Sequence, residues 1–315
     1  LVLSLLILAI SGISGYFLDD LTAILIGRFT LGIGIGGLTS CTTALISEHW
    51  TGRERMKVLG YQAAANGLGA LILETSGGVL AGISWRYPFL IYGIGFILTI
   101  MTVMFVGEPK PIERSEDSKE ERAPRKIVVT LCYTTIFVTM LMMFALPTKL
   151  TYLLVEVGYD STAGGVLLGL FGALNAIIGA FYGKVAGRFD AYTSFILGFV
   201  QMAASYLLFL VDPNMVTMVI SMILFGSAMG TIIPAITSTL AKESVRSNSG
   251  KLMGGYGTFL SLGQFISGIM LIPVIDIVGG YQMMYVTLGV VCAILAVIYV
   301  GIRFVMVPKD RAIAN

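Results

Sequence analysis

Histidine occurs once in the 315 residues, at His49, which excludes histidine metal clusters and histidine dyads. Cysteine is scarce as well. Cys41, Cys132 and Cys292 stand alone in apolar runs, with neither metal-ligand spacing nor the even number a disulfide framework needs. Charge is the largest deficit, at 12% of residues against about 25% in an ordinary globular protein. The charges are also crowded, since residues 107–126 hold 12 of the 38 (20 basic and 18 acidic). What remains cannot build a water-facing surface, and a net charge of +2 is too small for a nucleic-acid footprint. Soluble enzyme, nucleic-acid binder and disordered chain are thereby set aside. The opening LVLSLLILAI also has neither the basic start nor the small-residue cleavage site of a signal peptide.

Hydrophobic residues, in contrast, make up 56% of the chain. Crossing the hydrocarbon takes about 20 apolar residues as a helix, and open strands cannot satisfy their backbone in lipid. On that ruler the sequence predicts an all-α integral membrane protein with ten spanning helices, at 1–18, 21–46, 57–82, 86–107, 127–154, 163–187, 191–211, 215–241, 252–275 and 281–306. Polar punctuation separates most of them, as at Asp19-Asp20, Thr51-Gly52-Arg53, Ser84-Trp85-Arg86, Asp212-Pro213-Asn214 and Gly279-Gly280. Lysine and arginine gather on the cytoplasmic side of such proteins. With the 107–126 loop placed there, 17 of the 20 basic residues fall on that side, leaving Arg86 and Lys149 opposite and Arg28 inside a helix. Both ends of the chain are then expected to be cytoplasmic, in a plasma or inner membrane.

Two stretches about 195 residues apart resemble each other. Gly32-x3-Gly36 has a counterpart in Gly226-x3-Gly230, and Glu48, an arginine cluster and Gly60-Tyr61 are echoed by Glu243, Arg246, Lys251 and Gly255-Tyr256. A repeat of that length covers six helices, and two six-helix halves related by a pseudo-twofold axis along the membrane normal are a transporter architecture. On this period, two more helices are expected before Leu1. The chain then divides into 1–107 (a first half with four helices), a cytoplasmic linker at 108–126 containing Pro109, Pro111 and Pro124, a six-helix half at 127–306, and a cytoplasmic tail at 307–315.

Particular segments resemble the major facilitator superfamily, and within it the drug:proton antiporter and efflux-permease branch. Arg28-Phe29-Thr30-Leu31-Gly32-Ile33-Gly34 is similar to the RxxxGxG motif of that family's fourth helix. Gly77-Gly78-Val79-Leu80-Ala81-Gly82 resembles the fifth-helix antiporter motif, and Trp85-Arg86-Tyr87-Pro88-Phe89 the WRxxF start of the sixth. Ala145-Leu146-Pro147-Thr148-Lys149-Leu150 looks like the seventh helix, and Gly254-Gly255-Tyr256 with Gly263-Gln264-Phe265-Ile266-Ser267-Gly268 like the eleventh. The resemblance implies the major facilitator fold with ten of its twelve helices present. Two departures stand out: Glu74 occupies the proline position of the usual GPxxGG, and Gly183-Lys184-Val185-Ala186-Gly187-Arg188 has glycine where aspartate is common.

A charge deep in a span costs roughly 2.5–3.5 kcal/mol on insertion scales, and Arg28 and Glu74 are the two that need a reason. Each lies roughly 10–12 Å below the outer surface at 1.5 Å per residue. Their helices are sequence neighbours running in opposite directions, so an ion pair is feasible. The repeat equivalent of Arg28 is Met222, so the fold itself does not require that charge. Two readings stay open: Glu74 as a proton carrier whose balance with burial and Arg28 changes as a cavity opens and closes, or a permanent Arg28–Glu74 pair that pins two helices.

Polar residues in the spans either hydrogen-bond a substrate or hold neighbouring helices together at about 0.6 kcal/mol each. Asn66, Asn175 and Gln264 are the leading cavity candidates, with Gln62, Gln201 and Thr258 behind them. The family-motif glycines Gly32, Gly34, Gly77 and Gly78 are expected to serve close helix packing. Gly32-Ile33-Gly34-Ile35-Gly36-Gly37 is no dinucleotide site, because it lies mid-span outside any βαβ unit. Pro234 and Pro273 are expected to kink their helices. No metal or cofactor is expected. The expected partners are a small-molecule substrate, protons and the bilayer, for a monomeric chain performing proton-coupled efflux of a small amphipathic compound. A sugar or metabolite facilitator or symporter is the alternative within transport. From other classes stand a membrane-embedded enzyme, which would need more ionisable residues at one depth, and a non-transporting receptor.

Overall fold

The computed structural model describes residues 1–50, 52–106, 124–185, 190–211, 214–244 and 248–314. Among them there is no strand. Helices α1 (Val2–Phe17), α2 (Leu21–His49) and α3 (Gly52–Ile83) are followed by a 3-10 segment, Tyr87–Gly93, that runs into α4 (Ile94–Phe105). Beyond residue 123 come α5 (Lys126–Met143), α6 (Ala145–Glu156), α7 (Ser161–Val185) and α8 (Ala191–Leu207), the last with a 3-10 tail, Leu208–Leu210. The chain closes with α9 (Met215–Glu243), α10 (Ser249–Val278) and α11 (Tyr281–Ala314). Eight apolar stretches in this set are long enough to cross a bilayer, and Val2–Phe17 is apolar but shorter. Most of the 108–126 linker falls outside the described residues, as do Thr51, Arg188 and Arg246.

Local chemistry sets the ends. Asp20 caps α2 by accepting the Ala23 amide at 2.8 Å. Asn214 and Thr217 form a reciprocal capping box on α9, satisfying amides that a helix start leaves free. At the end of α10, Gly279 takes φ +83°, a left-handed conformation that favours glycine.

Two expected helices are irregular. The 127–154 span bends at Phe144, where α5 passes into α6 with the Phe144 amide still on the Met140 carbonyl (3.0 Å) and the Thr148 amide on the Phe144 carbonyl (3.3 Å). Pro147 is the cause: it has no N–H for the carbonyl of Met143, four residues earlier, and its ring crowds that carbonyl. It sits instead in the first turn of α6, where proline is tolerated. The 86–107 span opens as a 3-10 segment with Pro88 in its first turn. By contrast, α9 and α10 each continue through their proline, Pro234 and Pro273.

Packing converges on α7. Its Gly165, Gly169, Gly172 and Ala176 recur at helical spacing and face α3, so that two backbones nearly touch along an antiparallel seam. A Cβ at Gly165 would lie 2.7 Å from the Gly78 Cα and 2.8 Å from the Glu74 carbonyl, and one at Gly172 would lie 2.7 Å from the Ala70 Cβ. The other face of α7 receives α9 in the same manner. A Cβ at Gly226 would lie 2.7 Å from the Phe171 carbonyl, and one at Gly230 would lie 2.7 Å from the Asn175 carbonyl. Lipid provides no hydrophobic drive between helices, so such close contact is a main source of association. The 1–106 part of the chain therefore meets the rest chiefly through α3 on α7.

Around α7 to α9 the second half builds an aromatic core. Tyr206, Tyr285, Phe195, Phe199, Phe209 and Phe225 are fully buried, and Phe199 stacks on Tyr299 with centroids 5.3 Å apart. The end of the bundle that carries residue 125 is tied by charge. Arg125 gives its backbone amide (2.9 Å) and its Nε (2.8 Å) to the Glu243 carboxylate. Arg303 Nε reaches both Asp190 oxygens, at 3.2 and 3.1 Å. Partial burial works to raise the Asp190 pKa, yet hydrogen bonds from Thr193 and Arg303 and the arginine charge bring it below the ordinary carboxylate value.

The repeat pairs the Gly32-x3-Gly36 stretch with Gly226-x3-Gly230, and the packing separates the two. A Cβ at Gly32 meets nothing within 4 Å, whereas one at Gly230 would lie 2.8 Å from the Ile178 Cβ and 2.9 Å from the Gly179 amide. Gly230→Ala is therefore expected to cost about 1–3 kcal/mol through overpacking. Gly32→Ala is expected to gain about 0.5–1 kcal/mol from helix propensity. Thermal unfolding of the two variants in detergent checks this, with midpoints moving in opposite directions.

Candidate functional site

Along α3, Gly67, Ala70, Glu74 and Gly78 recur every three or four residues and share one helical face, the face that meets α7. Glu74 thus stands in the middle of the seam between the two parts of the chain. Its Oε2 is buried and has no hydrogen-bond partner among the described residues. A carboxylate in such a place is expensive unless it is paired, hydrated or neutral.

Arg28 is accommodated differently. Its guanidinium lies 4.4 Å from the centre of the Phe89 ring and 5.4 Å from that of Tyr92. Its Nη1 donates to the Tyr92 hydroxyl at 3.4 Å. Both rings belong to the Tyr87–Gly93 segment. They lie tight against α1 at Gly12 and Gly15, where any Cβ would collide with Tyr92 and Phe89 respectively. Ring quadrupoles attract a cation, more strongly once it has lost its water, so two aromatic faces stand where a carboxylate was expected.

The Arg28–Glu74 ion pair, one of the two readings left open by the sequence, is therefore not formed among the described residues. Arg28 sits on the side of α2 that faces the Tyr87–Gly93 segment, and Glu74 on the side of α3 that faces α7; α2 and α3 themselves touch little. Sequence adjacency of two helices does not make their charged faces adjacent. The aromatic partners of Arg28 were missed, although Phe89 stood in view as the last residue of the WRxxF segment.

The other candidates scatter. Asn175 is half-buried on the α7–α9 contact. Gln264 places its Nε2 3.7 Å from Met140 Sδ between α10 and α5. Gln201 has a buried Oε1 with no partner among the described residues. Thr258 is exposed and donates to the Gly254 carbonyl of its own helix at 3.0 Å. Asn66 is exposed and Gln62 half-buried. No hydrogen bond joins any two of these six among the described residues.

The four motif glycines also diverge. Gly34 is tightly packed on α1, where a Cβ would lie 2.9 Å from the Leu8 amide, and Gly78 abuts Gly165. Gly77 has only the Ile91 side chain at 3.8 Å, and Gly32 has nothing. Close packing thus holds for Gly34 and Gly78 and fails for Gly32, because no described helix covers that face of α2.

The model of the Major Facilitator Superfamily matches residues 1–151 and 131–315. The class B tetracycline resistance protein of Escherichia coli is 25% identical over 252 residues, covering 76% of this chain and 62% of that protein. The quinolone resistance protein NorA of Staphylococcus aureus is 27% identical over 276 residues, covering 82% of this chain and 68% of that one. The chain thus spans less than two thirds of the tetracycline protein's length. Among solved structures, a peptide transporter, POT, in complex with sulfate aligns with a TM-score of 0.72 at 13% identity, covering 95% of this chain and 78% of that one. A D-xylose-proton symporter aligns at 0.69 and 17% identity, covering 93% and 78%.

The aromatic seat of Arg28 is open to a double-mutant cycle. Arg28→Met with Phe89→Leu is expected to show a coupling of about 1–2 kcal/mol in unfolding. Arg28→Met with Glu74→Gln should show none. A larger coupling in the second cycle would restore the ion pair.

Proposed function

The chain belongs to the Major Facilitator Superfamily, a family of membrane transporters, and on that footing we propose that it exports a small amphipathic compound in exchange for protons. The relatives named for tetracycline and quinolone resistance supply the substrate class. The observation that carries the coupling is the unpartnered, buried oxygen of Glu74 in the α3–α7 seam.

An ionised carboxylate needs water or a counter-charge, and the described residues give the buried Oε2 no counter-charge, because Arg28 is engaged by Phe89 and Tyr92. In the proposed cycle Glu74 takes a proton before the seam closes over it and releases the proton when the seam opens to water on the other side. Rocking of the two halves about α3 and α7 then links proton entry to substrate exit, which is alternating access. Ten crossings, a cytoplasmic 108–126 linker, cytoplasmic chain ends and a monomeric unit in the plasma membrane complete the proposal. Asn66, Asn175, Gln264, Gln62, Gln201 and Thr258 remain its substrate-contact candidates. A sugar or metabolite symporter of the same family is the alternative, favoured by Glu74 standing at the proline position of the antiporter motif.

Flux of tetracycline or a quinolone in proteoliposomes, with and without a pH gradient, tests the reading. Glu74→Gln is expected to abolish gradient-driven flux while leaving substrate binding intact. Wild-type flux in that variant would overturn the assignment, and uptake alongside protons would select the symporter.

A further inference from the structure

Among the described residues, two cations lie more than a turn inside apolar spans: Arg28 in Leu21–Thr42 and Lys149 in Lys126–Glu156. Each stands seven residues from a span end, about 10 Å at 1.5 Å per residue. In the proposed topology both of those ends face outward, so the two charges share a depth, one in each part of the chain. Neither has a carboxylate partner among the described residues, and each is held by aromatic rings instead. Lys149 Nζ lies 5.7 Å from the centre of the Tyr152 ring, and Tyr152 in turn stacks on Tyr281 at 5.4 Å.

The seat of Arg28 leaves its hydrogen bonding incomplete. Phe89 and Tyr92 attract the charge of the guanidinium, but a ring face accepts no N–H that lies in the guanidinium plane. Of its several donors, the described residues engage Nη1 alone, through the Tyr92 hydroxyl at 3.4 Å. The rings themselves are fixed, because they pack against Gly12 and Gly15 of α1 where no Cβ has room. Arg28 is therefore a positioned fork with unused donors, which suits the two oxygens of a planar carboxylate. It is half-buried and so remains within reach of a ligand.

Acids at this depth are scarcer. Glu74 carries its proton in the closed state of the proposed cycle, and Glu156 and Asp276 lie within two residues of their helix ends, at the rim. Among the described residues, a lipophilic cation passing this level would meet two like charges and no carboxylate, whereas an anion would meet its counter-charge. We propose that the exported compound is an amphipathic acid, that Arg28 receives its carboxylate, and that Lys149 is a second counter-charge at the same depth. The inference rests on the export reading and adds to it the sign of the charge on the substrate.

Equilibrium binding of three probes of similar shape tests it: 1-naphthaleneacetate, its primary amide and 1-naphthaleneethylammonium. The full chain is titrated in phosphatidylcholine nanodiscs at neutral pH with no gradient. The carboxylate is expected to bind about tenfold more tightly than the amide, and the ammonium more weakly than either. Arg28→Lys keeps the charge and loses the fork, and should cost the carboxylate about tenfold while leaving the amide unchanged. Lys149→Met should cost the carboxylate about threefold and the amide nothing. Unchanged amide binding also reports that each variant is folded. Ammonium binding as tight as carboxylate binding, or Arg28→Lys without effect on the carboxylate, would overturn the proposal. So would a loss shared by all three probes, which makes Arg28 structural, or competition by phosphatidylglycerol in the nanodisc, which assigns the fork to a lipid headgroup. Failure of gradient-driven flux with the carboxylate preference intact would remove the coupling at Glu74 alone, and coupled flux without that preference would remove this inference alone.

Discussion

The junction between the two parts of the chain depends on backbone contact along α7. Gly165, Gly169 and Gly172 let α3 approach on one side, and Gly226 and Gly230 of α9 let α9 approach on the other. In lipid, an apolar side chain gains little by leaving one hydrocarbon environment for another, so proximity and van der Waals contact decide which helices stay together. A single Cβ at Gly165 or Gly230 would occupy space already filled by backbone atoms. The seam between the two parts of the chain is thus built from the absence of side chains.

That construction explains why Glu74 is conspicuous. Among the described residues the seam holds no counter-charge, and the nearest span charge in sequence, Arg28, is engaged on the far side of α2 by Phe89 and Tyr92. The fold therefore keeps two opposite charges apart that a purely stabilising arrangement would have joined. A pinned ion pair would resist relative movement of the helices. On the proposed reading, an unpartnered carboxylate oxygen at the seam makes closure depend on its proton.

Much of this was legible beforehand. Charge scarcity and apolar runs marked the helices and the membrane, and the order of the Arg28, Gly77-Gly78 and Trp85–Phe89 segments pointed to the family whose model spans the chain. What escaped the sequence was direction. Arg28 and Glu74 lie on neighbouring helices, but a linear reading does not say which way each face turns. Gly32 and Gly226 occupy matching places in the repeat, yet only the second meets a neighbour. Prolines were similarly opaque: α9 and α10 absorb Pro234 and Pro273, whereas Pro147 follows a bend at Phe144 where Tyr206 and Tyr285 bond the carbonyls on either side. The difference lies in residues some 60 and 140 positions away, which no local window contains.

The most direct test of the central claim is the distance across the seam as a function of pH. Labels at Ile83→Cys on α3 and Val166→Cys on α7, both exposed, report its separation by pulsed EPR in nanodiscs. If Glu74 controls closure, the wild-type chain will shift between a short and a long distance as pH rises, and Glu74→Gln will keep the short one throughout. A wild-type distance that ignores pH, or a Glu74→Gln variant that shifts as the wild type does, would contradict the account.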